Sequence, residues 1–229
     1  MESTIAKQQL TISCLKIIKK FLRSFQFTSV LMDLYFLRRF YLKPKGWALS
    51  RALHRPVSRE GEPLPWFTYA SIFFLEPRIS KDHKVFEFGS GHSTMYLSSK
   101  VADIVSVESE ENFYKEMKPK LDSIENVEYL YKSADQGLFS ASINGFERSF
   151  DIIVVDGADR VNCAKNAVLK LKDNGVIIWD NSDRSEYNEG YELLERNGFR
   201  RIDFNGHGPI GYLEWCTSIF YRSENCLGI

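Results

Sequence analysis

The sequence predicts an α/β fold, a doubly wound, mostly parallel sheet of seven strands with an antiparallel last strand and an N-terminal helical extension. From Lys84 onwards, short apolar runs alternate with amphipathic stretches, and a glycine turn follows the first run. The connection at 205–215 is rich in Gly and Pro and has no helical period. A connection without a helix favours an antiparallel entry for the final strand.

Each element rests on its own pattern. The apolar runs that predict strands are 85–88, 104–107, 127–131, 152–155, 176–179, 201–204 and 217–221. Helical spacing predicts helices at 67–75, 93–100, 112–121, 134–143, 163–171 and 187–197. Strands that alternate with helices in this way form a sheet covered on both faces, so the core should lie on both sides of it.

The N-terminal part of the chain is basic. Residues 1–55 contain eleven Lys and Arg against Glu2 and Asp33, a net charge of +9, which leaves −9 for the remainder because the whole chain is neutral. Apolar and basic residues at 10–42 predict one or two amphipathic helices. We therefore divide the chain into a helical extension, 1–65, and a main domain, 66–229. The extension is expected to be a lid or a homodimer contact, and peripheral contact with an anionic membrane is the alternative.

Composition excludes several classes of protein. The acidic remainder argues against a nucleic-acid partner, because phosphate contacts need clustered cations. The four cysteines lie far apart without a C-x-x-C spacing, which favours a reducing compartment. No apolar run near the N-terminus approaches the roughly 20 residues of a spanning helix. The predicted location is cytoplasmic, either free or peripheral to a membrane.

The first strand runs into the turn Gly89-Ser90-Gly91, which opens a helix. Glycine lets the backbone turn sharply and approach a ligand. Glu108 ends the next strand, where a carboxylate can accept both hydroxyl protons of a ribose. Glu87 would repel a pyrophosphate but suits a cationic group, and Thr94 stands where dinucleotide-binding loops carry a third glycine. The loop therefore favours a cationic nucleoside cofactor over a nicotinamide dinucleotide.

From 84 to about 222 the chain resembles the class I S-adenosylmethionine-dependent methyltransferases. Glu87 and the two glycines match that family's first motif, and Glu108 matches its ribose-binding acid. The segment 133–135 (Ser-Ala-Asp) follows the third strand, where the family usually contacts adenine. The resemblance implies S-adenosylmethionine as cofactor, with contacts from Glu87, Gly89, Ser90, Gly91, Ser93, Glu108, Ser109, Ala134, Asp135 and Asp156.

Three oxygen-bearing side chains follow the fourth and fifth strands: Asp156 after the fourth, and Asp180 and Asn181 after the fifth. Neighbouring strands lie about 4.8 Å apart, so these side chains should converge beside the cofactor. Hard oxygen ligands suit Mg²⁺. The catechol-type O-methyltransferases are similar at these three positions and use them as metal ligands, which implies a magnesium site here. The alternative is that the three residues only cap helices and turns.

The resemblance to the catechol-type enzymes does not identify the general base. The catechol-type enzymes carry a lysine three residues after the first metal-binding Asp, and this chain has Asp159 there. Asp159 and His207 are the candidates, unless the metal alone suffices. Trp66, Phe67 and Tyr69 could wall the substrate pocket or simply pack in the core.

The function that the sequence predicts is O-methylation of a small molecule, with magnesium assistance. The alternatives are a metal-free methyltransferase that acts on nitrogen or a sugar hydroxyl, a nicotinamide-dependent oxidoreductase, and a non-enzymatic cofactor-binding protein.

Overall fold

Seven strands form one sheet in a computed structural model that describes residues 26–229. They are β1 (Lys84–Phe88), β2 (Asp103–Glu108), β3 (Val127–Tyr131), β4 (Phe150–Val155), β5 (Leu171–Asp180), β6 (Arg200–Gly206) and β7 (Trp215–Tyr221). Their order is β3-β2-β1-β4-β5-β7-β6. β7 pairs antiparallel with β5 and β6, and the other pairs are parallel. The predicted sheet, including its antiparallel last strand, is confirmed.

Helices cover both faces of this sheet. They are α1 (Gln26–Phe36), α2 (Trp47–Leu53), α3 (Tyr69–Leu75), α4 (His92–Ser98), α5 (Glu111–Leu121), α6 (Arg160–Lys170) and α7 (Asn188–Arg196). A π-helix, Leu37–Leu42, follows α1, and short 3-10 turns lie at Asp135–Gly137, Ser142–Gly145 and Ser185–Tyr187. The amphipathic segment predicted at 10–42 is helical from residue 26, and its earlier part lies outside the described residues.

The helix predicted at 134–143 is wrong, because two separate 3-10 turns replace it. Gln136 and Gly137 have φ angles of 54° and 70°, and a continuous right-handed helix cannot contain them. Phe139 and Ile143 are nevertheless fully buried. The apolar spacing therefore predicted correctly that these side chains are buried, but it did not predict the 3-10 turns of the backbone.

The core consists of two layers, one on each side of the sheet. Successive strand residues point to opposite faces, so Phe86 and Phe88 pack toward α6 and α7 while Val85 packs toward α3 and α4. β1 and β4 are buried along almost their whole length. That burial is why their sequences are mostly apolar and show no regular alternation with polar residues, although each contains one buried acid, Glu87 in β1 and Asp151 in β4.

The N-terminal extension changes character at Gly46. Val57 is buried and its backbone exchanges two hydrogen bonds with the Ser50 hydroxyl, at 2.8 and 3.0 Å. The Trp47 indole donates to the Gly211 carbonyl at 3.2 Å, so this part packs on the main domain. By contrast, no side chain from 28 to 45 is buried. The boundary at residue 65 stays a prediction. Within residues 26–229, no helix is both long and apolar enough to cross a membrane.

Candidate active site

A cavity of about 1120 Å³ opens beyond the carboxyl ends of β1, β4 and β5. Open α/β sheets place their ligands at this end. Two separate segments roof it: residues 53–56, which follow α2, and residues 210–215, which lead into β7. The predicted site residues that line it are Ser90, Gly91, Ser93, Asp156, Asp180 and Asn181. The fold thus brings part of the predicted cofactor loop and all three predicted metal ligands to one cavity.

The glycine turn has the conformation that its sequence requires. Gly89 has a φ of 95°, and a Cβ atom there would lie 2.9 Å from the backbone of Asp156 and of Gly157. Only glycine fits such a close approach in the left-handed region. The turn therefore packs directly against the end of β4, where the chemical residues begin.

Glu87 is fully buried beneath this turn. Its Oε2 atom accepts hydrogen bonds from the hydroxyls of Thr94 at 2.5 Å and Ser106 at 2.8 Å. Its Oε1 atom is buried without a hydrogen-bond partner among the described residues. Burial raises the pKa of Glu87 to about 7, although these hydroxyls lower it. A buried acceptor that lacks a donor suits a cationic group bound on the turn above it.

Glu108 ties the glycine turn to the end of β2. Its Oε2 atom accepts from the backbone N–H and the hydroxyl of Ser90, at 3.2 and 2.7 Å. Its Oε1 atom accepts from the N–H groups of Ser109 and Glu110, at 2.7 and 2.9 Å. A carboxylate has about four acceptor positions, so all are in use. Ribose hydroxyls would have to displace the Ser90 hydroxyl, which also lies 2.8 Å from the Tyr129 hydroxyl.

The predicted adenine contacts lie outside the cavity lining. Ala134 and Asp135 are exposed in the turn after β3, where the Ser133 hydroxyl donates to the Asp135 carboxylate at 2.9 Å. The turn is at the same end of the sheet as Glu108, because β2 and β3 are parallel neighbours. The role of Ala134 and Asp135 stays a prediction.

Arg160 is the main site residue that sequence reasoning missed. Only 8% of it is exposed, at the start of α6. Its guanidinium contacts the Asp156 carboxylate at 3.1 Å and the Gly157 carbonyl at 2.9 Å, and it also donates to the Asp180 carbonyl. It therefore joins the ends of β4 and β5. The sequence shows a basic residue four positions after Asp156, but helical spacing does not predict their contact, because Asp159 between them is left-handed.

The two acids at these strand ends are held in different ways. Asp180 is buried, and its Oδ1 atom accepts from the Trp215 indole at 3.0 Å and the Thr217 hydroxyl at 2.5 Å. Burial and the nearby charge of Asp156 raise the pKa of Asp180 well above its usual range. Burial raises the pKa of Asp156 to about 6, although Arg160 lowers it. Two nearby carboxylates disfavour double ionisation, so the pair favours keeping one proton.

The predicted metal ligands share a cavity, but their donor atoms are partly committed. Asp156 is paired with Arg160, and one oxygen of Asp180 is hydrogen-bonded to β7. Asn181 has a φ of 51°, a conformation that Asn tolerates. The ion pair with Arg160 and the hydrogen bonds from β7 therefore make the donor set a poor fit for Mg²⁺ in this conformation.

Neither candidate for the general base lines the cavity. Asp159 is exposed, and its carboxylate accepts from the Ser140 hydroxyl at 2.6 Å and the Asn162 amide at 2.8 Å. His207 is exposed, and its carbonyl accepts from the N–H of Tyr69 at 2.8 Å. Both assignments stay predictions, and the positions of the two residues give them no support.

Of the three aromatic residues predicted near the substrate pocket, one lines the cavity and two pack in the core. Trp66 lines the cavity, whereas Phe67 and Tyr69 are buried in the core around α3. Tyr212 and Trp215 from the second roof segment complete the aromatic wall. The sequence offered little sign of these two, because the loop before β7 has no periodicity.

No protein-family model matches the sequence, and no curated protein sequence is similar to it. Solved structures do share its fold. An rRNA methylase from Streptococcus thermophilus has a TM-score of 0.52 at 12% identity, covering 66% of this chain and 93% of that one. A precorrin-6y C5,15-methyltransferase from Geobacter metallireducens has a TM-score of 0.52 at 15% identity, with 67% and 88% covered.

A methyltransferase from Pyrococcus furiosus has a TM-score of 0.50 at 18% identity, covering 77% of this chain and 94% of that one. At such identities the likeness concerns the fold, and the chain has the fold of the class I methyltransferases. A shared fold does not fix the reaction, so the activity has to be argued from the site.

Proposed function

We propose that the protein is an S-adenosylmethionine-dependent methyltransferase. The observation that carries the proposal is the glycine turn at the end of β1, with buried Glu87 beneath it and Glu108 beside it. When bound, this cofactor supplies a methyl group on a positively charged sulfur. Glu87 would face its cationic amino-acid end, and Glu108 would hold its ribose. A nicotinamide dinucleotide fits less well, because its pyrophosphate would lie over the Glu87 carboxylate.

The proposed acceptor is a small molecule, which we expect to be methylated on oxygen. The cavity is roofed by residues 53–56 and 210–215 and has an aromatic wall at Trp66, Tyr212 and Trp215. A concave cavity with apolar and aromatic lining and a few polar groups is typical of small-molecule sites. RNA is the second candidate, since an rRNA methylase shares the fold. The net charge of −9 over residues 56–229 disfavours RNA.

Asp156 and Asp180 are our proposed proton acceptors, in place of Asp159 and His207. Both line the cavity, and burial raises the pKa of each, that of Asp156 to about 6. A base with a pKa near the working pH is the most effective. Arg160 would hold the two strand ends together and offset the charge that forms when the pair is deprotonated. A nitrogen or sugar hydroxyl is equally compatible with this arrangement.

Magnesium assistance is a second version of this proposal. Asp156, Asp180 and Asn181 all line the cavity, which favours a metal. The guanidinium of Arg160 already contacts Asp156, which disfavours it. We therefore expect turnover to continue in EDTA, because the Arg160 guanidinium already supplies a positive charge beside Asp156. Loss of turnover in EDTA, with recovery on adding Mg²⁺ but not NaCl, would establish the magnesium version instead.

Glu108→Ala should weaken the binding of S-adenosylhomocysteine by roughly ten- to a hundred-fold. Hydrogen bonds to a charged carboxylate contribute about 1.5–3 kcal/mol, which corresponds to that range of affinity. Titration calorimetry measures the effect directly. Glu111→Ala is the matched control, since its exposed carboxylate pairs with Lys115 on the surface of α5. An unchanged dissociation constant in a folded Glu108→Ala protein would contradict the ribose assignment.

Calorimetry also tests the choice of cofactor. The wild-type protein should bind S-adenosylhomocysteine and not NAD⁺. Binding of NAD⁺ alone would favour the oxidoreductase alternative. Methyl transfer from S-adenosylmethionine to any acceptor in a panel of small molecules and RNA would then separate an enzyme from a protein that only binds the cofactor.

A further inference from the structure

Residues 26–45 form an arm that is apolar and uncovered. The arm comprises α1, the π-helix and the turn that follows it. Seven of its large apolar side chains are 49–65% exposed, and they are Val30, Leu31, Leu34, Tyr35, Leu37, Phe40 and Tyr41. Soluble monomers rarely expose so many large apolar groups side by side, and such patches usually mark an interaction surface. A partner that the structure does not contain should therefore cover the arm.

The arm is also basic. It carries Arg38, Arg39, Lys43 and Lys45 against the single acid Asp33, a net charge of +3. None of these four cations forms an ion pair with an acid in residues 26–229. Two of them flank aromatic rings: Arg39 lies 5.5 Å from the centre of the Phe40 ring, and Lys45 lies 5.0 Å from that of Tyr41. Apolar, aromatic and cationic groups thus alternate along one short segment.

Charge distinguishes between the two kinds of partner that such a surface admits. A second copy of the arm would bring a further charge of +3 to the same interface, and like charges there would repel. An anionic bilayer offers the opposite charge to the lysines and arginines, and it offers its acyl chains to the apolar side chains. Aromatic rings that lie next to cations are well placed at the boundary between the two.

We propose that the arm binds an anionic membrane surface. It would lie in the surface, with its apolar side chains among the acyl chains and its cations at the anionic headgroups. The sequence before the arm has the same composition, with Lys16, Lys19, Lys20 and Arg23 among apolar residues. Membrane binding goes beyond the proposed methyl transfer, since it concerns where the protein works and not what it does.

Vesicle co-sedimentation of the full chain tests this inference. Vesicles of phosphatidylcholine alone are compared with vesicles that contain about 30% phosphatidylglycerol, at about 50 mM and about 500 mM NaCl. The protein should bind only the anionic vesicles, and high salt should release most of it. Arg38→Gln with Arg39→Gln should lower the partition coefficient roughly ten- to thirty-fold, because two charges are lost. Leu34→Ser with Phe40→Ser should lower it at least as much.

Two control variants alter exposed side chains of the main domain in the same ways. They are Arg196→Gln on α7 and Leu169→Ser on α6, whose side chains are both mostly exposed. Neither should change the partition. Calorimetry with S-adenosylhomocysteine should give the wild-type affinity for every arm variant. A failure of the membrane proposal is thereby separated from a failure of the proposed function.

Three results would overturn the proposal. One is an absence of binding to the anionic vesicles at low salt, and another is equal binding of the wild-type protein and both arm variants. The third is a stable dimer in sedimentation equilibrium that Leu34→Ser with Phe40→Ser dissociates, which would assign the arm to a second copy of the chain. The altered side chains are exposed, so the variants should fold normally. Far-UV circular dichroism and thermal unfolding check that they do.

Discussion

Glu87→Gln is expected to stabilise the cofactor-free protein by about 3 kcal/mol at pH 8 and by less than about 1 kcal/mol at pH 5. Burial raises the pKa of Glu87 from 4.5 to about 7. The folded state therefore holds the proton more tightly than the unfolded state. The contribution of Glu87 to the free energy of unfolding is fully present below pH 4.5, and it is lost as the pH rises through about 7. A neutral glutamine removes that loss, so its advantage grows with pH.

Urea unfolding at the two pH values measures this difference. Glu111→Gln serves as the control, because its carboxylate is on the surface and should give the same small change at both. The same Glu87→Gln protein should bind S-adenosylhomocysteine more weakly, since it lacks the charge proposed to face the cofactor's amino-acid end. A stabilisation independent of pH would mean that Glu87 is not forced to ionise in a buried position.

Arg160→Met should destabilise the protein by about 3–5 kcal/mol. The change removes the contacts to the carbonyls of Gly157 and Asp180 and leaves the Asp156 carboxylate without its partner. Removing one member of a buried ion pair is more damaging than its net contribution suggests, because the other charge stays in a poorly solvated place. Urea unfolding at pH 7 is again the measurement.

Two companion measurements identify the cause of this loss. Adding Asp156→Asn to Arg160→Met should restore part of the stability, because the uncompensated charge is gone. The loss should also shrink at pH 5, since Arg160 lowers the pKa of Asp156 and its absence makes protonation easier still. Arg196→Met is the control, and its exposed ion pair with Glu192 should be worth less than about 1 kcal/mol. An equal loss of stability in Arg160→Met and in the control variant would show that the contacts of Arg160 contribute no more than a surface ion pair.

Local sequence was sufficient for the sheet and for the position of the site. The strand at 85–88 is apolar except at Glu87 because both faces of the sheet are covered, and that pattern is visible without a structure. Gly89 marks a left-handed turn that other residues rarely adopt. Because the carboxyl ends of parallel strands meet at one edge, Asp156 and Asp180 had to lie near each other. Each of these conclusions depends on period, residue type or order along the chain.

The chemistry of that site depended on contacts between distant parts of the chain. The hydrogen bonds to Asp156 and Asp180 come from Arg160 and from Trp215 and Thr217 of β7. Trp215 and Thr217 lie 35 and 37 residues from Asp180 in the sequence. Trp47 and Arg51 donate to the carbonyls of Gly211 and Ile210, so α2 is joined to the loop before β7. Such contacts leave no period in either segment. Side-chain direction, hydrogen-bond saturation and pKa therefore emerged only when tertiary packing fixed which groups meet, whereas the backbone turn at Gly89 was already set by the intrinsic conformational freedom of its residues.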